Sequence, residues 1–217
     1  MKVENLTAMI DVFKAQSEPI DRYTSFDYCY NYFKTTEDLT ADLEKSCLVL
    51  GFYLASWGML RGSSFLLQKS IKYFQPLIEY YAKLDKAVWE IDIDQYSNEN
   101  IEQIMDIYDK TKGLIIADNR THLTLVTKIL LGVFGFIPAF DQYFCQTFRK
   151  LSNNKCGFRV VNPTSLALLN EFYLSNKLEI DEVSENTYTK DFKTGDKTDI
   201  SYPKAKIVDM YGFTYRP

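Results

Sequence analysis

The residues able to do chemistry gather in three short segments. The sharpest is THLTLVTKILLGVFGFIPAFDQYF, Thr121 to Phe144, where Asp141 follows a Gly-Phe-Ile-Pro turn and Lys128 stands 13 residues earlier. An aspartate in the first turn of a helix opened by Pro138 is held ionised by the helix dipole. Set between Phe140 and Phe144, such a carboxylate faces an apolar wall, where it can stabilise a developing cation or activate water. An antiparallel turn brings the Lys128 amine toward the same place. The second segment is ASWGMLRGSS, Ala55 to Ser64, in which Arg61 emerges from an apolar run beside Trp57, Ser63 and Ser64. That set suits a carboxylate or phosphate, although a helix-terminal arginine and two capping serines need no ligand to explain them. The third, RYTSFDYCYNYF, places Tyr23, Phe26, Tyr30 and Phe33 on one helix face and Tyr28 with Tyr32 on another. Such a stripe is core, or a stacking platform for a base or sugar.

Thr127, Lys128, Pro138 and Asp141 stand where the catalytic stretch of helix-hairpin-helix DNA glycosylases has its Thr-Lys helix, Pro-containing turn and essential Asp, and the segment resembles that family locally. The resemblance implies Asp141 as catalyst with Lys128 assisting. The chain departs from it in ADNRTHLTL, which lacks the glycine-rich hairpin that grips DNA, and in the short Lys-to-Asp spacing. The chain is also similar to uncharacterised bacterial all-helical proteins with a Thr-Lys-Ile-Leu to Ile-Pro-x-x-Asp signature and a closing Lys-x-x-Asp-x-Tyr segment, here Lys206, Asp209 and Tyr211. That group implies no particular activity.

Other chemistries drop out. There is no GxGxxG, GxxxxGK[ST], HExxH, GxSxG or EF-hand loop, and Gly132-Val133-Phe134-Gly135 is too apolar to clamp phosphates. The single histidine, His122, near Arg120 and Asp118, excludes mechanisms needing two. Four cysteines without a CxxC pair argue against a disulfide framework or zinc site, and Cys29 and Cys47 read as core residues. No metal and no cofactor is expected.

A net charge of −4 and a pI near 5.2 exclude reliance on bulk attraction to phosphate backbones. Charge is uneven, however: Asp85 to Asp109 carries eight acids and one base, and Lys112 to Arg159 seven bases and two acids. These are solvated faces, or a basic patch that orients a charged partner. The start has no signal-peptide pattern, and the longest apolar runs, 14 residues from Cys47 to Leu60 and 12 from Ile129 to Phe140, fall short of the roughly 20 that span a bilayer. A cytoplasmic protein without membrane segments is expected.

Helical periodicity must position these groups. Helices are expected at about Val3 to Ala15, Pro19 to Phe33, from a Thr40 cap through Trp57, Gln68 to Leu84, Ser97 to a C-cap at Gly113, Asn119 or Thr121 to Leu130, Pro138 to Lys150, and Asn162-Pro163 to Leu174. Gly51, Ala55, Gly58 and Gly62 form a small-residue stripe that admits a backbone or a ligand. Residues 176–201 read as a polar loop or short hairpin, followed by a closing segment YPKAKIVDMYGF. The expected fold is all-α, a single multi-helix domain. Three functions fit: a module binding an anionic or aromatic ligand, or a partner protein, through Trp57, Arg61, Ser63, Ser64, Tyr28, Lys128 and Asp141; a glycosylase-like enzyme on nucleic acid or nucleosides; or a structural subunit with no site.

Overall fold

The computed structural model describes residues 1–116 and 122–215, and among them ten α-helices and one hairpin follow in chain order. The helices are α1 (Leu6–Lys14), α2 (Ser25–Thr35), α3 (Leu43–Ser56), α4 (Gln75–Tyr81), α5 (Asn98–Ile115), α6 (Leu123–Val133), α7 (Gln142–Leu151), α8 (Pro163–Ser175), α9 (Lys177–Asn186) and α10 (Lys204–Thr214). Strands β1 (Tyr188–Lys190) and β2 (Lys197–Ser201) pair antiparallel between α9 and α10. The fold is all-α, and its buried apolar side chains join one cluster. No described helix is long and apolar enough to cross a membrane.

Local side-chain caps begin four of the ten helices. Ser97 accepts the Asn100 amide at 3.1 Å to begin α5, and Asn162 and Ser165 cap each other's backbone to begin α8, with Pro163 at its first position. For α3 the cap is Asp42, which accepts the Lys45 amide, rather than Thr40, whose hydroxyl donates to Asp38. Helix α10 borrows its cap: Asp92 accepts the amides of Lys204 and Ala205 at 2.6 and 2.9 Å. Burial pushes the Asp92 carboxyl up to about 6, against the pull of these amides.

Several expected boundaries are corrected. Residues 19–24 are not helical at their start and end in a 3-10 turn, Arg22–Thr24, before α2. The helix expected at Gln68 to Leu84 is the last residue of one 3-10 turn (Phe65–Gln68), a second 3-10 turn (Ile71–Phe74) and the short α4, because Ser70 is extended and Pro76 opens a new first turn. Helix α5 runs through Gly113 to Ile115. Pro138 starts no helix. The amides of Ala139 and Phe140 are taken by Asp209 and Thr127 side chains, so this backbone is satisfied without helical bonds. Asp141 is therefore the N-cap of α7, not a residue of its first turn. The expected start at Asn119 or Thr121 lies outside the described residues. In 176–201 the hairpin is present, but α9 precedes it.

Two buried segments organise the site. Every residue from Leu125 through Phe140 is buried, and so is every residue of α10 from Ala205 to Gly212. Helix α10 packs on α1, α7 and α9. Gly212 makes that packing possible, since a Cβ there would stand 2.4 Å from the Phe144 ring.

Candidate functional site

A cleft of about 720 Å³ opens where α1, the turn after α3, α6, the start of α7 and the end of α10 meet. Trp57, Arg61, Lys128 and Asp141, named from the sequence, all line it.

Lys128 comes from α6, an otherwise apolar helix whose polar residues, Thr124, Thr127 and Lys128, share one side. Its side chain is 5% exposed, its ammonium lies 4.5 Å from the centre of the Trp57 ring, and Asp141 Oδ2 stands 3.6 Å away, beyond a normal hydrogen bond. Burial pushes the Lys128 amine below its usual range, and the neighbouring Lys206 adds to this, while Asp141 and Asp209 pull the other way. Asp141 has two tasks. Its Oδ1 accepts the Tyr143 and Phe144 amides, both at 3.0 Å, and fixes the carboxylate at the head of α7; its Oδ2 faces Lys128.

Trp57 closes α3. Tyr23 stacks on it at 5.1 Å, Phe213 meets it edge-on at 6.0 Å, and its buried indole Nε1 has no hydrogen-bond partner. Beneath the same ring lies a second ion pair. Lys206 Nζ is 4.9 Å from the Trp57 ring and donates to Asp209 Oδ2 at 2.7 Å. Gly58, at φ +76°, turns the chain so that Arg61 folds back over it; a Cβ at position 58 would stand 3.0 Å from Arg61 Nε.

Three expected residues fall elsewhere, which corrects their assignment to the cleft. Ser64 donates to the Met59 carbonyl and caps the 3-10 turn Phe65–Gln68. Ser63 is exposed and borders no part of the cleft. Tyr28 donates to the Pro19 carbonyl and packs edge-on against Phe192 in a different groove. Ser64, on a local turn, and Tyr28, inside α2, each spend their hydroxyl on a nearby backbone carbonyl. Within the basic stretch Lys128 is buried and so adds nothing to a surface patch; Asp118 and Arg120 lie outside the described residues.

The cleft also holds Phe13, Arg22, Tyr23, Tyr143 and Phe213, which sequence reasoning did not place there. They come from the ends of the chain and from α7, with no shared motif. Lys206 and Asp209 left a usable trace: two opposite charges three apart in the otherwise apolar AKIVDMYGF point to a buried ion pair. Among the described residues, no group of three or more His, Cys, Asp or Glu side chains could hold a metal ion. No protein family, curated protein or solved structure matches the chain.

Proposed function

We propose that the chain is a helical binding module that takes a small, flat, anionic ligand in this cleft. The observation that carries the reading is the charge of the lining: Arg22, Arg61 and Lys128 against one carboxylate, Asp141, half of which is spent on capping α7. An ammonium as buried as Lys128, facing a carboxylate at 3.6 Å, has donors to spare for an incoming carboxylate or phosphate. Tyr23, Trp57 and Phe213 supply ring surfaces against which a planar body packs.

The test is titration of benzoate, indole-3-carboxylate and adenosine monophosphate, followed by tryptophan fluorescence. Saturable binding of at least one, weakened tenfold or more in Arg61→Ala and in Lys128→Met while the variants keep the wild-type circular dichroism, supports the reading. Binding unchanged in both folded variants, or no binding of any of the three, removes it.

A second reading rests on Asp141 Oδ2 facing Lys128 within a concave site: a glycosylase-like enzyme with Asp141 as catalyst. It requires anisotropy of labelled DNA to fall steeply from about 50 to 200 mM salt. It also requires Asp141→Asn to stop base release while sparing binding.

A further inference from the structure

We infer that a second groove, between α2, α3 and the tip of the hairpin, binds an uncharged amphipathic small molecule with an apolar body and a hydrogen-donating head. The groove encloses about 840 Å³, the size of a small-molecule site. Four large apolar side chains border it while exposed to solvent: Ile20 (96%), Phe192 (76%), Phe52 (71%) and Leu48 (48%). Single exposed hydrophobics are ordinary, but four around one concavity mark a binding surface.

Polar atoms in the wall point to the head group. Ser25 Oγ and Asn31 Oδ1, both on α2 and both lining the groove, are buried without a hydrogen-bond partner. Native proteins rarely leave such atoms unpaired. The Asn31 amide already donates to the Lys190 carbonyl at 3.0 Å, so its free carbonyl oxygen asks for an O–H or N–H from the occupant.

Of the five charged side chains at the rim, four are engaged locally, and the fifth, Lys193, is close enough to Asp191 to help the Thr194 and Lys193 amides hold its carboxyl below the usual range. Asp21 accepts the Glu18 amide, and Asp191 accepts those of Lys193 and Thr194. Lys45 lies over the Tyr32 ring, and Arg22 lies over the ring of Tyr23, which lines the cleft and not this groove. No ion pair is left half-made over this groove as Lys128 and Asp141 leave one over the cleft, so a charged occupant would lose its hydration without a waiting partner.

The probe is N-phenyl-1-naphthylamine, a neutral aromatic amine with one N–H whose fluorescence rises in apolar surroundings. One-to-one saturable binding is expected, weakened tenfold or more in Phe52→Glu and in Leu48→Glu, two exposed positions whose variants should keep the wild-type circular dichroism, and unchanged in Arg61→Ala, which separates this groove from the cleft. 1-Decanol should displace the probe, whereas decanoate and decylamine should not. An absent or non-saturating signal, binding indifferent to both glutamate substitutions, or displacement led by decanoate or decylamine overturns the inference.

Discussion

Two lysine–aspartate pairs lie under one tryptophan ring, and they are put to different use. Lys206 and Asp209, one turn apart on α10, meet at 2.7 Å; Asp209 Oδ1 also takes the Ala139 amide, and the ammonium lies within 5.0 Å of the Phe13, Phe26 and Trp57 ring centres. Lys128 and Asp141 stand at 3.6 Å across a cleft, with one ring beside the ammonium and half of the carboxylate committed to a helix cap. The first pair is closed on every side and ties α10 to the turn before α7. The second is left open toward solvent-filled space. Burial alone does not mark a functional charge; the unmet bonding capacity of a buried charge does.

The largest expected effect breaks the closed pair. Lys206→Met strands the Asp209 carboxylate, 6% exposed, and should lower stability by about 3–5 kcal/mol in urea unfolding. A loss under about 1 kcal/mol would show that the pair contributes nothing to the fold. Next in size is the behaviour of buried carboxylates that have no ammonium in hydrogen-bond contact. Burial pushes Asp27 and Asp92 up to about 6, although Tyr202 and backbone amides hydrogen-bond to them. Each binds its proton more tightly folded than unfolded, so the stability this adds is full below about pH 4 and is lost as pH rises through about 6. For a shift of this size each group contributes about 2–3 kcal/mol. The urea midpoint should therefore be higher at pH 5 than at pH 7.5; a midpoint that rises over that interval would contradict the assignment.

Smaller again is the open pair. Lys128→Met should change stability by about 1 kcal/mol or less, since Asp141 keeps two amide donors and is 14% exposed. A cost as large as that of Lys206→Met would erase the distinction between the pairs. The smallest effect belongs to Asp141→Asn. Asparagine caps as well as aspartate, so the thermal midpoint should stay within a few degrees while the cleft's one carboxylate is lost. Anion binding should then hold or tighten, whereas weaker binding would mean that Asp141 holds the ligand rather than Lys128.

Periodicity and cap chemistry act over a few residues, which is why so much of the helical frame was readable. Ser97 and Asn162 start helices where their side chains reach the third amide onward, and Pro163 suits a first turn. Pro138 misled because its neighbours' amides find partners in Thr127 and Asp209, 13 and 70 residues away. Helix α9 was hidden by a polar composition, with Ile180 and Ser184 its only fully buried positions. The same division runs through the site. Trp57, Arg61, Lys128 and Asp141 could be named because each is an unusual residue at the end of, or inside, an apolar run. Ser63, Ser64 and Tyr28 look alike on paper, but Ser63 is exposed and the hydroxyls of Ser64 and Tyr28 are taken by nearby carbonyls.

The sequence by itself determined the all-α class, most helix positions and four of the groups in the cleft, because these follow from hydrophobic period and short-range capping. The tertiary structure decided which charges are closed and which are open. Pair distances depend on how α6, α7 and α10 approach one another, an approach set by contacts such as Gly212 against Phe144 that no local pattern encodes.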